Sequence, residues 1–147
     1  MADKPLVRDF MTLNPTTLSP DEPLLKAVLT IRSLNIRHLP VVVNGKLVGL
    51  ITDRDVARVS PSIVSQASQE EYNKVFEETM VERVMVKNPT AVSPDTPLSE
   101  AVGLLHDNKW GCLPVTENEK LVGIITLTDV LRYALSTLGG GGGSITL

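Results

Sequence analysis

The chain is short of cysteine, histidine and aromatic rings. Of 147 residues, one is cysteine, two are histidine and 3% are aromatic. A single cysteine, Cys112, excludes an intrachain disulfide, and two histidines leave too few partners for a thiolate-type zinc site. A lone thiol fits a reducing interior, so a cytoplasmic setting is expected. Scarce aromatic rings leave little to stack on bases. Positive charge is not in excess either: 14 Lys and Arg face 17 Asp and Glu, for a formal net charge of −3. Broad neutralisation of a phosphate backbone is therefore excluded, and no nucleic-acid partner is expected. The apolar runs stop well short of a membrane span, and the segment Met1 to Met11 has no apolar signal core. No membrane partner is expected. The common catalytic signatures are missing as well: there is no His-Glu-x-x-His, no Gly-x-Ser-x-Gly and no Walker-type glycine loop. Asp9, Asp21, Glu22 and Asp95 read as helix-start residues, not as a paired acid and base. Neither an enzyme, nor a metal, nor a cofactor is indicated.

What the chain does have is a copy of itself. Val7 to Val59 aligns without a gap on Val81 to Tyr133, at a constant offset of 74 (Met11 to Met85, Asp55 to Asp129). Roughly half of the aligned positions are identical, far beyond chance. The shared segments include Asn14-Pro15-Thr16 with Asn88-Pro89-Thr90, Leu39-Pro40-Val41 with Leu113-Pro114-Val115, and Lys46-Leu47-Val48-Gly49 with Lys120-Leu121-Val122-Gly123. In the first copy, Leu24, Ala27, Val28, Ile31 and Leu34 follow helical spacing. Asp21 is a candidate N-cap and Asn35 a candidate C-cap. A strand is expected at about His38 to Val43, an Asn44-Gly45 turn with both residues at positive φ, a strand through Leu47 to Thr52, and a helix from about Asp53. In the second copy the turn is Asn118-Glu119, a weaker signal without glycine. The domain division expected is 1–59, an inserted helical segment 60–80, 81–138, and a glycine-rich tail 139–147. Within the insert, Ser68-Gln69-Glu70-Glu71 is a capping-box pattern, and Tyr72, Val75 and Phe76 share a helix face. That helix is either a lid on the core or a dimer contact.

The pattern Gly-x-x-Thr-x-x-Asp occurs twice, as Gly49 to Asp55 and Gly123 to Asp129, each at a strand-to-helix junction. Thr at the N-cap with Asp at N3 is a capping arrangement, and the carboxylate suits the positive end of the helix dipole. The same geometry has a second use. A carboxylate repels phosphate but accepts both hydrogens of a vicinal diol, and the threonine hydroxyl completes a ribose clamp. Both readings stand on these residues.

In these motifs the chain resembles a tandem pair of cystathionine-β-synthase (CBS) domains, also called a Bateman module. The resemblance covers about Val7 to Leu135. The Ser60-Pro61-Ser62-Ile63 insert and the Ile36 to Pro40 segment are most similar to stand-alone bacterial proteins of the acetoin-utilisation B type. The resemblance implies an α/β fold of two β-α-β-β-α repeats packed as a pseudo-twofold pair, a homodimer, and a ligand containing adenosine: AMP, ADP, ATP or S-adenosylmethionine. Carried over by position, Thr52 and Asp55 would hold one ribose, and Thr126 and Asp129 the other. Thr16, Thr17 and Leu18 would border the first adenine, with apolar contact from Ile36, Pro40 and Leu50. Their counterparts are Thr90, Ala91 and Val92, with Trp110, Pro114 and Ile124.

The two clefts so implied differ in charge. Members of this family often place basic residues just before the Leu-Pro strand, where phosphates lie: the first copy has Arg37 and His38 there and the second Gly111 and Cys112, and the first also has Arg54 where the second has Thr128. The phosphorylated nucleotide is expected at the first. Arg37 and Arg54 are otherwise solvated surface charge. Trp110 stacks on adenine or fills the core, the commoner fate of a lone tryptophan. His38 contacts phosphate or is a packed core histidine. Cys112 reads as a small buried hydrophobe and His106 as exposed. The function implied is regulatory sensing, with a ligand-biased conformation acting on a partner protein or on the oligomer. The alternatives are a structural dimerisation module, in which both Thr/Asp pairs are only caps, and, last, a nucleotide-processing enzyme.

Overall fold

In the computed structural model the described residues are 4–59 and 68–139. The Ser60 to Ile63 insert and most of the glycine-rich tail lie outside them. After a short 3-10 turn (Val7–Asp9) come β1 (Thr12–Leu13), α1 (Leu24–Leu34), β2 (His38–Val43), β3 (Lys46–Thr52) and α2 (Asp53–Val59). They are followed by α3 (Gln69–Glu78), α4 (Val81–Val84), β4 (Val86–Lys87), α5 (Leu98–Asn108), β5 (Cys112–Glu117), β6 (Lys120–Thr126) and α6 (Leu127–Leu138). This is an α/β fold of two repeats. No helix among the described residues is long and apolar enough to cross a membrane.

These elements form two compact units. The first holds the described parts of Pro15–Pro89 with Glu119–Leu121, and the second those of Met1–Asn14, Thr90–Asn118 and Val122–Leu147. The units do not coincide with the sequence repeats, because each repeat lends its opening segment to the other unit. In the first unit β3 pairs antiparallel with β2 on one side and with β4 on the other, Leu50 lying opposite Val86. In the second, β6 pairs with β5 and with β1, Ile124 lying opposite Thr12. The exchange reaches the cores. Val81 is fully buried with Leu18, Leu24, Leu39, Val41 and Ile51, while Val7 is fully buried with Val92, Leu98, Leu113, Val115 and Ile125. Backbone bonds hold the lent segments: Val81 N–H donates to Glu22 O at 2.9 Å, and Val7 N–H to Thr96 O at 2.9 Å.

Local chemistry explains most boundaries. Asn35 ends α1 in the left-handed region, at φ 52°. The start of α1 corrects the sequence reading: Pro23 is the N-cap residue and Asp21 lies in the preceding exposed turn. The reason is tertiary. Leu24 N–H donates to Thr79 O at 2.7 Å, so the first orphan donor needs no aspartate. The two turns are the same despite their different sequences, with φ 51° and 81° at Asn44-Gly45 and 51° and 70° at Asn118-Glu119. Glu119 therefore holds a left-handed conformation at a cost of about 1 kcal/mol relative to glycine. Glycine has a steric role at two places. A Cβ on Gly49 would meet Met85 Sδ at 2.3 Å, and one on Gly123 would meet Thr12 O at 2.9 Å. Hydrogen there lets the short strands β4 and β1 close on β3 and β6.

The insert supplies a lid. Ser68 Oγ accepts the Glu71 N–H at 3.2 Å and starts α3. Phe76 is fully buried in the first core, and Tyr72 packs on it with ring centroids 4.8 Å apart. Phe76 thus covers the first core, as the lid reading expects.

Candidate functional site

Both Thr-x-x-Asp segments form reciprocal caps. At the β3 to α2 junction, Thr52 N–H and Thr52 Oγ1–H both donate to Asp55 Oδ2, each at 2.9 Å. The Asp55 N–H returns a bond to Thr52 Oγ1 at 3.3 Å. At the β6 to α6 junction, the same bonds measure 2.9, 3.2 and 3.4 Å between Thr126 and Asp129. The two aspartates are the only buried charged residues among those described, 6% and 1% exposed. In each, the cap uses Oδ2. The other oxygen faces an arginine three residues on: Arg58 lies 3.5 Å from Asp55 Oδ1 and Arg132 lies 3.3 Å from Asp129 Oδ1. Both arginines are well exposed, so these pairs are weak and displaceable. Cap and clamp are thus separable within one carboxylate, and the two sequence readings do not exclude each other.

Backbone bonds gather the other first-site residues around this junction. His38 lies opposite Thr52, and Pro40 opposite Leu50, in the β2–β3 ladder. Leu18 runs beside β2, its N–H donating to Pro40 O and its carbonyl accepting from Val42 N–H, both at 2.9 Å. Thr16 and Thr17 precede it, exposed and half-buried. The Arg37 carbonyl accepts the Asp53 N–H at 3.0 Å, which brings Arg37 beside the start of α2 and Arg54. Arg37 and Arg54 are exposed and form no ion pair among the described residues. Ile36 is half-buried against the core. Burial pushes the His38 imidazole below its ordinary value, opposed by Asp53 and assisted by Arg37. His38 is a half-buried, mostly neutral side chain.

The second unit repeats the frame with different chemistry. Val92 N–H donates to Pro114 O at 3.0 Å, Thr116 N–H donates to Val92 O at 2.8 Å, and Leu127 N–H donates to Gly111 O at 3.0 Å. Thr90 is exposed, Ala91 half-buried, Pro114 and Ile124 buried, and Thr128 exposed. Cys112 is buried at the start of β5, and burial pushes its thiol up to about 12, so it is inert at neutral pH. His106 is exposed beside Asp107. Trp110 corrects the sequence reading. It is 38% exposed, outside the core, because Lys109 ends α5 in the left-handed region and the chain turns into β5 only after Gly111.

Sequence reasoning passed over three residues. Arg58 and Arg132 are identical across the repeats at the same distance from the aspartates, a signal available in the alignment. The third is Thr12, whose hydroxyl donates to Asp129 Oδ1 at 3.4 Å. Only the pairing of β1 with β6 reveals it.

Comparison with known proteins agrees with this architecture. The family model described as CBS domain matches twice, over residues 7–62 and 81–136. The structure of the Vibrio cholerae protein assigned to acetoin utilization (AcuB) is similar over 98% of this chain and 100% of its own, with 34% identity and a TM-score of 0.79. CBSX2, solved in complex with AMP, is similar over 90% of this chain and 98% of its own, with 29% identity and a TM-score of 0.76. The CBS domain pair of MJ0100, solved with 5'-methylthioadenosine and S-adenosyl-L-methionine, is similar over 92% and 99%, with 27% identity and a TM-score of 0.75.

Proposed function

The chain belongs to the CBS domain family, with two CBS domains over residues 7–62 and 81–136, and from that premise we propose that it is a regulatory adenine-nucleotide sensor. The observation that carries this reading is the division of labour in Asp55 and Asp129. One oxygen caps a helix, and the other is left for a ribose diol, held at Asp55 by a displaceable arginine and at Asp129 by an arginine and the Thr12 hydroxyl. The AMP and S-adenosyl-L-methionine bound by similar CBS pairs support the ligand class. The protein works as a binding module in the cytoplasm, without catalysis. Ligand at these junctions biases its conformation, and the bias is read by a regulated protein or by the oligomer.

The phosphorylated ligand belongs at the first site. Arg37 and Arg54 flank the α2 start there, where the second site has Gly111 and Thr128. Calorimetric titration with AMP, ADP, ATP and S-adenosylmethionine, with GTP as control, tests the reading. Saturable binding of an adenosine ligand is expected, with Arg37→Ala weakening the phosphorylated one most at low salt. Silence from every ligand at about millimolar concentration, weaker than roughly −4 kcal/mol, leaves the structural dimerisation module instead.

A homodimer is part of the reading. Leu127, Leu131, Leu135 and Leu138 are each between 46% and 81% exposed along α6. Arg132 is the one exposed charge on that helix, since Asp129 is buried. A nearly uncharged leucine row matches a second copy of itself without placing like charges face to face. Sedimentation of the wild type should give a dimer and of Leu131→Glu a folded monomer. An unchanged dimer in Leu131→Glu places the contact elsewhere.

A further inference from the structure

The two carboxylates are built alike except for one side chain lent by the other repeat. Thr12 of β1 lies opposite Ile124, and Val86 of β4 lies opposite Leu50. Thr12 and Val86 are the same position of the repeat, and so are Ile124 and Leu50. An ionised carboxylate accepts about four hydrogen bonds, two at each oxygen. Asp129 has all four: Thr126 N–H and Oγ1–H on Oδ2, and Arg132 and the Thr12 hydroxyl on Oδ1. Asp55 has two among the described residues, Thr52 N–H and Oγ1–H on Oδ2, with Arg58 near Oδ1 as an ion pair at 3.5 Å. Valine has no donor to add there. An arginine stands at the same repeat position beside both outer oxygens, so the side chain type that differs there is Thr12.

We propose that Thr12 is a specificity-determining residue that ranks the two sites: its hydroxyl occupies the outer oxygen of Asp129, and a ribose diol must displace it there but not at Asp55. The ranking rests on the adenosine reading above, yet it is independent of phosphate. It is a second source of inequality, separate from Arg37 and Arg54. It also makes the second site answer to the N-terminal strand, because anything that lifts β1 from β6 removes the competing donor.

Adenosine is the suitable probe, since it carries the diol and no phosphate, and 2'-deoxyadenosine is its control without the diol. Titrations would use the full chain, with Asp55→Asn or Asp129→Asn added to silence one site at a time. Thr12→Val is expected to raise the adenosine affinity of the second site by roughly three- to tenfold, the worth of one displaced hydrogen bond. Val86→Thr is expected to lower that of the first site by a similar factor. Neither should change binding of 2'-deoxyadenosine. Folding is not at risk in the first variant, because valine already occupies the matching position in the first unit and Thr12 is exposed. Unchanged adenosine binding in both variants, or equal shifts for both nucleosides, overturns the role of Thr12 while the adenosine reading stands. A wild type silent to adenosine and to AMP overturns both together.

Discussion

Asp55→Ala is expected to lose saturable binding of the phosphorylated nucleotide and also to lower the melting temperature, whereas Asp55→Asn should lose binding with little change in stability. The two variants separate the two uses of one side chain. Alanine removes the acceptor for Thr52 N–H and Thr52 Oγ1–H. Loss of such a cap costs about 1–2 kcal/mol, or roughly 3–8 °C in a domain of this size. Asparagine keeps one carbonyl oxygen, which can take the place of Oδ2 in the cap. Its amide then stands where Oδ1 was. An amide donates and cannot accept from a diol, so the clamp is lost while the cap persists. Two charge-assisted bonds at about 1.5–3 kcal/mol each set the scale of the binding loss, on the order of a hundredfold or more. Calorimetry and a thermal melt on the same samples read both effects. Wild-type affinity in Asp55→Asn would reduce Asp55 to a helix cap.

Much of this arrangement was legible because it is local. The strand His38–Val43 and the left-handed Asn35 follow from short-range pattern and steric preference, and both are found as expected. The Thr/Asp junctions were legible because capping needs only a fixed spacing of three residues. The parts that were not legible are tertiary. The opening strand of each β-α-β-β-α repeat was expected, but not its pairing: the partner of Thr12–Leu13 lies on β6, far along the chain. Nothing in the alignment announced that Val7 and Val81 would change places between the cores. Thr12 follows from the same exchange, and so it enters the second site only when the pairing is known. Asp21 failed as a cap because a distant carbonyl, that of Thr79, already satisfies the first turn of α1. Trp110 failed as a core residue because size alone does not bury a side chain. Cys112 and Leu113 take the buried positions at the start of β5, one turn of chain later.

The inserted helix gives the largest expected stability effect. In α3 most side chains are polar, and Phe76 is the one fully buried residue. It shares its core with Leu18, Leu39 and Ile51, which come from the segment bordering the first site and from the two strands that carry His38, Pro40 and Thr52. Among the described residues no aromatic ring is fully buried in the second core. Phe76→Ala removes a phenyl ring from a closed core, at a cost of about 3–5 kcal/mol. Against a total of roughly 5–15 kcal/mol for a typical domain, that is a large fraction. The melting temperature should fall by more than in any capping variant, and nucleotide affinity at the first site should fall with it, because Leu18 anchors to Pro40 through the backbone. Tyr72→Ala should cost less, because that ring is half-buried. Thermal denaturation of both variants, with AMP titrated into each, distinguishes the cases. A loss below about 1 kcal/mol in Phe76→Ala would mean that α3 rests on the core without closing it. In that event the helix would return to its other role, as a contact between two copies of the chain.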